Sequence, residues 1–513
     1  MKGDYAMSIQ LVKETVISAS ALQAAPQQTT VEAEVMLPGG LRDEVRVLYT
    51  DARAVPQVCE ASAGRVTVSG RVDFFALYAQ GDLTRVKAAQ VSHDFSRALN
   101  AQETADYTPV CEVSQVQSRV FNGRLLLRAD LNIYASALSN QEESVVASVS
   151  EADVQTLEKE ICTQIVVGSG AEQGLIREEV EISDVLGAQE ALLSQAEARV
   201  EDIIGGADGR ATVTGSIDLT ACFASSLPGR PVVYSQHSLP FEQTVTLGGE
   251  MGDMLSASAE VTDTAVALEG DESGAVLRAE VGLHVKLAAI REQEVHLVTD
   301  AFATDSGTVS EGKVLSFCTE MINEQTAESA RVQLMLPENA PRIKTVLCAF
   351  ARPVLAGASE QGGRLTVDMS LCTTLLYMTE DSGIPVSYTA EEPLRLHFAG
   401  SARAEDMLSL SASHVEASMV SGDRAEVRCV ITLHADGERY EQVFALGSME
   451  RDDLAAHGSE LALYITQPGE RLWDVMKRYR LNEEKIKALN EPVKECAVDA
   501  PLPLATRLIA YRR

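Results

Sequence analysis

The stretch Arg65-Val-Thr-Val-Ser-Gly-Arg-Val-Asp-Phe-Phe-Ala-Leu-Tyr78 decides the fold class of this 513-residue chain. Every second residue from Val66 onward is apolar except Gly70, and the residues between them are mostly polar. Side chains of a β-strand point alternately to its two faces, so this period of two predicts a long, half-buried strand that bends at the glycine. The block recurs without gaps at residues 210–223 and 364–377, with the same alternation.

A second block repeats in the same order. It reads Leu-Arg-Ala-Asp-Leu-Asn-Ile at 127–133, Leu-Arg-Ala-Glu-Val-Gly-Leu at 277–283 and Val-Arg-Cys-Val-Ile-Thr-Leu at 427–433. Its arginines are spaced by 150 residues, at Arg128, Arg278 and Arg428. A shorter Ala-Arg match precedes the first block in each copy, with its arginine at Arg53, Arg199 and Arg352. Three matched blocks in one order predict three copies of one β-rich module.

The pattern predicts a mainly β protein with three tandem antiparallel modules, each like a β-sandwich or a barrel. We place them at residues 31–148, 149–300 and 301–450, after an N-terminal segment of residues 1–30. Turn-forming pairs such as Asn122-Gly123 separate the predicted strands, which we expect to be short and to number six to eight in each module. Helix propensity predicts one exception, a short helix at 186–193 that is followed by a strand.

Residues 451–513 follow a different pattern and predict a small α+β domain. Apolar residues at helical spacing from Leu472 onward predict an amphipathic helix at 471–480. A second helix is expected to point Ile486 and Leu489 inward. Strands are predicted at 461–466 and at 504–511, so the element order is β-α-α-β.

Charge separates the C-terminal domain from the remainder. The chain carries a net charge of −32, but residues 460–513 carry ten Lys/Arg and eight Asp/Glu, a net of +2 that leaves −34 on the other residues. A strongly acidic surface repels nucleic-acid phosphates and anionic lipid heads, so nucleic acid and bare membrane are poor partners for most of the chain, and no nucleic-acid partner is predicted. With one Trp and 5% aromatic residues, a base-stacking platform is not expected either.

The cysteines and the N-terminus indicate a cytoplasmic protein. The nine cysteines are odd in number, contain no Cys-x-x-Cys pair and lie mostly in apolar strand-like runs. Residues 1–16 lack the apolar core and the cleavage site of a signal peptide. No stretch approaches the ~18 apolar residues of a membrane span, so no transmembrane segment is predicted.

Motifs for catalysis, metals and cofactors are missing from the sequence. It contains neither the GxxxxGK[ST] nucleotide loop nor a GxSxG serine elbow. His284 and His434 occupy the same repeat position, where the first copy has Tyr134, so a solvated strand face is favoured over a metal site. We predict no catalytic residue, no metal and no cofactor. An enzyme with a targeting tail would instead require a pocket of titratable groups in one module only.

The C-terminal domain resembles LysM. The LysM pattern Tyr-x-Val-x-x-Gly-Asp-Thr-Leu-Trp-x-Ile-Ala-x-x-Tyr is matched by Tyr-Ile-Thr-Gln-Pro-Gly-Glu-Arg-Leu-Trp-Asp-Val-Met-Lys-Arg-Tyr at 464–479, followed by Leu489-Asn490. Glu470 and Arg471 replace the usual Asp-Thr. The resemblance implies a groove for N-acetylglucosamine polymers between the first strand–helix loop and the second helix–strand loop. Both loops depart from the pattern, which favours a protein partner over sugar.

The three repeats resemble the SPOCS domain of spore-coat morphogenesis proteins. The stretches Gln-Thr-Thr-Val-Glu-Ala-Glu-Val-Met-Leu-Pro at 28–38 and Asn-Glu-Gln-Thr-Ala-Glu-Ser-Ala-Arg-Val-Gln-Leu-Met-Leu-Pro at 323–337 carry the resemblance. SPOCS modules with a C-terminal LysM domain imply a non-enzymatic scaffold in the mother-cell cytoplasm, at the forespore surface. They also imply that the LysM-like domain docks to SpoIVA, the ATPase at the base of the coat.

The predicted docking residues lie around the first helix of the C-terminal domain. They are Gly469, Glu470, Arg471, Leu472, Trp473, Lys477, Arg478, Leu489 and Asn490. Two alternatives stay open for Trp473, because a lone tryptophan in so small a domain serves as a core residue, as an exposed binding anchor, or as both. The basic residues of the helix form either an ordinary solvated face or a docking patch for an acidic surface.

Overall fold

The computed structural model describes residues 9–38, 44–62, 64–101, 105–183, 186–206, 208–271, 274–452 and 460–512. Strands account for 78% of the structure and helices for 4%, and the strands pair in several antiparallel sheets. The prediction of a mainly β protein is therefore confirmed. Within the described ranges no helix has the length and apolar character needed to cross a bilayer.

Six strands between residues 11 and 149 form the first strand set. They make two three-stranded sheets, one in the order β1-β6-β5 and the other in the order β2-β3-β4. Buried side chains from both sheets, among them Phe74 and Leu131, share one hydrophobic core. The strands are β1 (Leu11–Met36), β2 (Val45–Ser62), β3 (Arg65–Gln80), β4 (Arg85–Asn100), β5 (Thr108–Phe121) and β6 (Arg124–Val149).

The second and third strand sets repeat this arrangement. The second has sheets β11-β7-β13-β12 and β10-β9-β8, and the third has β14-β19-β18 and β15-β16-β17, with one shared core in each set. The second set comprises β7 (Val154–Ile182), β8 (Ala188–Gly205), β9 (Arg210–Ser225), β10 (Val232–Thr246), β11 (Gly248–Gly249), β12 (Met254–Asp271) and β13 (Gly274–Ala303). The third comprises β14 (Gly307–Met335), β15 (Ile343–Gln361), β16 (Arg364–Thr379), β17 (Pro385–Phe398), β18 (Met407–Ser421) and β19 (Arg424–Asp452).

The repeated sequence blocks form the central strands of the sheets. The first block lies in β3, β9 and β16, and the second lies in β6, β13 and β19. Val66, Val68, Val72 and Phe74 are fully buried, as their shared parity predicts. A central strand has neighbours on both edges and a core on one face, so it tolerates the least change, which accounts for the strength of the repeat there.

The repeated arginines of the second block lie on the outer face of the sheets. Arg128 pairs with Asp130, Arg278 with Glu179 and Glu269, and Arg428 with Glu426. The partners differ between copies, but each arginine has at least one carboxylate beside it on the sheet. Only the Arg278 pairs cross between strands, since Arg128 and Arg428 pair with carboxylates two residues away on the same strand, and all of these surface ion pairs stabilise the sheet surface modestly.

Three expectations are corrected by the strands. The predicted helix at 186–193 is wrong, because β8 starts at Ala188 and pairs with β9 along its length, so tertiary pairing overrides helix propensity. The N-terminal segment 1–30 is not separate, since β1 crosses residue 30 and pairs with β6 from Leu11 onward. The strands are also not short: β13 alone spans 30 residues.

The three strand sets pack against one another around a common centre. Three clusters of buried side chains each contain residues from all three sets. One of them lies between the long strands β1, β6, β7, β13, β14 and β19. It consists of Val16, Val145, Ile161, Val295, Leu297, Leu315, Phe317, Val443 and Ala445. Because these side chains are buried only when the sets meet, the sets form one body.

Arg451 joins the ends of the strand sets. Its guanidinium donates to Glu151 (2.6 Å) and Asp153 (2.7 Å) near the first link between sets, and to Asp305 (2.7 Å) in the second link. These hydrogen bonds with carboxylates raise the pKa of Arg451 further above its ordinary value. One cation at the end of the third set therefore holds the acidic ends of the other two.

The C-terminal domain has the element order β-α-α-β. It consists of β20 (Glu460–Ile465), α1 (Leu472–Tyr479), α2 (Glu483–Leu489) and β21 (Arg507–Arg512), with a 3-10 turn at Glu491–Val493. β20 and β21 pair as an antiparallel two-stranded sheet. Both helices pack on one face of that sheet through Leu472, Trp473, Val475, Met476, Ile486 and Leu508.

Candidate docking site

The helix α1 places most of the predicted docking residues. Its start is fixed by Asp474, whose carboxylate accepts the backbone N–H of Arg471 (3.0 Å) and the side chain of the same residue (2.8 Å). The bond from the Arg471 N–H to the Asp474 carboxylate is one half of a capping box, and arginine cannot supply the other half because its side chain has no acceptor. Leu472 and Trp473 then point into the domain, whereas Lys477 and Arg478 remain on its surface.

Glu470 and Arg478 form a pair with Tyr464. The Tyr464 hydroxyl donates to both carboxylate oxygens of Glu470 (2.6 and 2.8 Å), and this hydrogen bond raises the pKa of Tyr464. Arg478 lies 3.1 Å from Glu470 and over the Tyr464 ring. Glu470 thus links β20, through Tyr464, to α1, through Arg478. The neighbouring Gly469 is exposed, with a positive φ of 79° in the turn.

Asn490 acts as a brace and Leu489 lies at the surface. The Asn490 amide donates to the carbonyl oxygens of Ile486 (2.8 Å) and Ile509 (3.0 Å), and its own oxygen accepts the Ile509 N–H (2.6 Å). This buried side chain therefore links the end of α2 to β21. Ile486 is buried as predicted, but the expectation for Leu489 is wrong, because 47% of it is exposed.

Trp473 is buried at a contact between the C-terminal domain and the second strand set. It is 1% exposed, its ring packs edge-on against Phe302 at 5.1 Å, and its indole N–H donates to Asp300 (2.8 Å). Lys477 donates to both oxygens of Asp300 (2.6 and 2.8 Å). Trp473 is therefore a core residue, and it anchors the C-terminal domain to the second strand set.

Asp300 and Phe302 are functional residues of this contact that the sequence did not reveal. Both belong to β13, and the backbone N–H of Glu483 adds a bond to Gln155 (3.2 Å) in β7. One signal was present: Asp300 interrupts the apolar stretch Val-Thr-Asp-Ala-Phe-Ala at 298–303. A carboxylate at such a position requires a partner, but the sequence does not say which.

The sheet of the C-terminal domain exposes an apolar surface, which we call the strand face. It consists of Leu461, Leu463, Ile465, Ile509 and Tyr511. Leu461 lies opposite Tyr511 and Leu463 opposite Ile509, so the five side chains share one side of the sheet. Leu463 is 71% exposed. Single exposed apolar residues are ordinary, but a contiguous group on so small a domain is typical of a protein-binding surface.

The loops at 466–471 and 490–506 of the C-terminal domain are joined by hydrogen bonds. The Trp473 N–H donates to the Val498 carbonyl (2.8 Å), and the Leu502 N–H donates to the Glu470 carbonyl (2.9 Å). Thr466 adds a bond from its hydroxyl to the Pro503 carbonyl (2.9 Å). The backbone of the altered loops is therefore held in place by the domain itself.

A cavity of about 1160 Å³ lies where the three strand sets face one another. Residues of all three sets meet at its wall: Asp51 accepts from Tyr49 (2.9 Å) and from Gln195 (3.2 Å), and Arg352 lies 3.8 Å away. Burial raises the pKa of Asp51, and the nearby Arg352 partly offsets this effect. The repeated arginine Arg53 also crosses between sets, because it donates to the Val261 carbonyl.

The cavity wall contains a serine, a histidine and a glutamate in contact, but not in the order of a catalytic triad. The Ser411 hydroxyl donates to Glu197, and His434 Nε2 lies 3.2 Å from the same oxygen of Glu197. In a Ser-His-Asp triad the imidazole is the direct partner of the serine hydroxyl. Here the Glu197 carboxylate of the second strand set lies between Ser411 and His434. It therefore joins two side chains of the third strand set.

Metal-ligating side chains do not cluster in the part of the chain that the structure describes: no group of three or more His, Cys, Asp or Glu is positioned to hold an ion. Comparisons with protein-family models, with curated proteins and with solved structures gave no match.

Proposed function

We propose that this protein is a non-enzymatic scaffold in assembly of the endospore coat, acting in the mother-cell cytoplasm at the forespore surface. In this proposal each strand set is one SPOCS-like sandwich module. The C-terminal domain is a LysM-like module that docks to SpoIVA. The strand face is the observation that carries the docking role, because it presents contiguous apolar side chains to a partner.

The geometry favours the strand face over the helix α1 as the docking surface. Trp473 and Lys477 are engaged with Asp300 and Phe302 of the same chain. The strand face lies on the other side of the two-stranded sheet from the helices and remains exposed. Apolar side chains in the centre of an interface contribute most of its affinity. In this proposal the strand face contacts SpoIVA, and the predicted docking residues around α1 hold the domain in place behind it.

Binding of N-acetylglucosamine polymers, and with it a wall-associated role, is the second candidate function. It follows from the LysM resemblance and would use the loops at 466–471 and 490–506. The positive net charge of residues 460–513 suits an acidic protein surface, whereas an uncharged sugar chain gains nothing from it.

Leu463→Glu in the full-length protein tests the docking role. The side chain is exposed, so the fold should be unaffected, but a carboxylate in the apolar contact should weaken SpoIVA binding roughly tenfold or more, which is about 1.4 kcal/mol. Met335→Glu is the matched control, since Met335 is a similarly exposed apolar residue of the third strand set. Calorimetric or surface-binding measurements with purified SpoIVA give the affinities.

Purified peptidoglycan in the same assay separates the two functions. The proposal expects SpoIVA binding that Leu463→Glu reduces and Met335→Glu does not. Retention of the wild-type protein on peptidoglycan at physiological salt, with no binding to SpoIVA, would show the sugar-binding role instead. Equal affinity of wild type and Leu463→Glu for SpoIVA would remove the strand face from the interface.

A further inference from the structure

The first strand of the C-terminal domain has a free hydrogen-bonding edge. Among the described residues, β20 pairs with β21 and with no third strand. The second edge of Glu460–Ile465 therefore carries backbone groups without a strand partner. An extended segment of another protein can bind such an edge as an added strand, because the unpaired N–H and C=O groups act as its template.

The hydrogen bonds of Asn490 show which backbone groups point outward. Its side chain bonds both the N–H and the C=O of Ile509, so these groups of β21 point away from β20. Leu463 lies opposite Ile509, and two residues opposite each other in an antiparallel pair share one bonding type. The N–H and C=O of Leu463 therefore point toward the free edge. The bond from the Thr466 N–H to the Thr506 carbonyl (3.0 Å) gives the same alternation.

Leu461, Leu463 and Ile465 carry both the outward backbone groups and the exposed apolar side chains. The bonding type alternates along an antiparallel strand, so these three residues share the outward orientation of Leu463. The same three residues form the β20 part of the strand face, and they are 72%, 71% and 53% exposed. An added strand would therefore find its hydrogen bonds and an apolar surface at the same residues.

This edge lacks the features that usually protect an exposed strand. Proteins block such edges with charged side chains, with proline or with a bulge. Residues 461–465 read Leu-Ala-Leu-Tyr-Ile, without charge or proline, and β20 pairs with β21 without a register shift. β21 differs, because the Asn490 side chain covers its outer edge at Ile509. An unprotected apolar edge beside a protected one indicates that a partner covers it.

Arg507 indicates the charge of that partner. It lies opposite Ile465 in the sheet, so it shares a side with the strand face, and it is exposed. This side of the sheet has no carboxylate, since its positions are Leu461, Leu463, Ile465, Arg507, Ile509 and Tyr511. A strand with apolar residues at alternate positions and an Asp or Glu near Arg507 complements both the hydrophobicity and the charge of this side.

We propose that the partner of the C-terminal domain binds by β-strand addition. An extended segment of the partner, apolar at alternate positions and acidic near Arg507, pairs with β20 and becomes the third strand of the sheet. Its backbone bonds the outward groups of Leu461, Leu463 and Ile465, and its side chains extend the strand face. This mode of binding rests on the proposed function, which assigns the same surface to SpoIVA.

Leu463→Pro in the full-length protein tests the backbone contact, and Leu463→Ala is its matched control. Both remove the leucine side chain, but only proline removes the outward N–H, and an edge position whose N–H faces away from the sheet tolerates proline. Leu463→Ala should weaken the binding of purified SpoIVA roughly fivefold, and Leu463→Pro by a further factor of about ten, because a carbonyl of the partner loses its donor. Unchanged Trp473 emission shows that the domain remains folded.

Amide hydrogen exchange, resolved to single residues, tests the same contact without a substitution. In the complex with SpoIVA the amides of Leu461, Leu463 and Ile465 should exchange roughly tenfold more slowly, or slower still, than in the free protein. The amides of Ala462 and Tyr464 already bond to β21, so their exchange should change less. Where Leu463→Pro alters the Trp473 emission, this exchange pattern decides.

The outcomes distinguish strand addition from the proposed function. No binding of SpoIVA, or full binding by Leu463→Glu, would remove the proposed function and strand addition with it. Reduced binding by Leu463→Glu, with equal affinities for Leu463→Pro and Leu463→Ala or with amide protection that does not alternate, would overturn strand addition alone. Self-association of the wild-type chain that Leu463→Pro abolishes would assign the edge to a second copy of the chain and overturn the proposal as well.

Discussion

Asp300 is the residue on which the position of the C-terminal domain depends. Its carboxylate accepts the indole N–H of Trp473 and the ammonium of Lys477, next to the ring contact with Phe302. Hydrogen bonds to a charged group contribute more than neutral ones, and a buried indole N–H left without a partner is costly. Asp300 thus determines which side of the C-terminal domain is covered by the second strand set.

Asp300→Ala should release the C-terminal domain from the second strand set. We expect the docking equilibrium to weaken by roughly 1.5–3 kcal/mol, because a charge-assisted contact is lost and the Trp473 N–H remains unpaired. The chain has one tryptophan, so its fluorescence reports on this contact alone. The emission maximum should move to longer wavelength as water reaches the ring.

Glu294→Ala is the control for this substitution. Glu294 is an exposed carboxylate on the same strand, outside the contact with α1. Its removal should leave the emission unchanged. Identical spectra for wild type and Asp300→Ala would mean that the ring contact with Phe302 holds the domain without the carboxylate.

Among the elements, the central strands were predictable and their neighbours were less so. The period of two in residues 65–78 identifies β3 because its partners and core impose that pattern. The strand β8 has many good helix formers, and only its pairing with β9 makes it a strand. The pattern within one segment does not include its pairing partner, so it cannot predict a strand such as β8 that forms because the next strand pairs with it.

Gly215 shows how closely β8 and β9 approach each other. A Cβ at this position would lie 2.0 Å from the Arg199 carbonyl oxygen and 2.7 Å from the Phe241 ring. Gly215→Ala should therefore push β8 away and lower the free energy of unfolding by about 1–3 kcal/mol. Chemical denaturation followed by circular dichroism measures the change.

Gly357→Ala is the matched substitution for this strand glycine. Gly357 lies in β15, and a Cβ there has no neighbour within 4 Å. This variant should be neutral, or more stable by roughly 0.4–1 kcal/mol because the unfolded chain loses freedom. Equal destabilisation by both substitutions would show that close approach is not the cause.

At the scale of the whole molecule, the three sequence repeats correspond to three strand sets, whereas the arrangement of the sets was not predicted. The repeat spacing indicated three copies. The buried clusters shared between the strand sets, however, combine side chains that are far apart in the chain and that alternate with other residues along their strands. A residue such as Val16 is apolar whether it faces its own sheet or another set. The contact of Trp473 with Asp300 was unpredictable for the same reason, although the amphipathic pattern of α1 was clear.

The acidic character of the molecule makes Arg451 important for its pH response. Hydrogen bonding to Arg451 lowers the pKa of Glu151, and hydrogen bonds and Arg451 lower that of Asp305 although burial opposes them. A carboxyl whose pKa is lowered on folding stabilises the folded state above its unfolded pKa. That contribution disappears as the pH falls through the folded pKa.

Arg451→Met should therefore be less stable than wild type at pH 7, with a Tm lower by roughly 2–6 °C, and the difference should shrink below about pH 4. Thermal unfolding of both proteins between pH 3 and pH 8 tests this. Arg210→Met is the control, because among the described residues the ion-pair partner of Arg210 is the exposed Asp208, at 3.8 Å. A pH-independent difference between Arg451→Met and wild type would point to lost packing and not to charge.

Each strand set begins and ends at the same place. Its first strand pairs with its last, so Leu11 lies opposite Val149, Val154 opposite Ala303, and Gly307 opposite Asp452. A unit whose two ends adjoin can be copied in tandem with only a short link and no rearrangement. A chain with a single unit would expose its share of the common cores and is expected to be stable only as a homotrimer. The present molecule carries three such units in one polypeptide, so each of them finds its neighbours within the same chain.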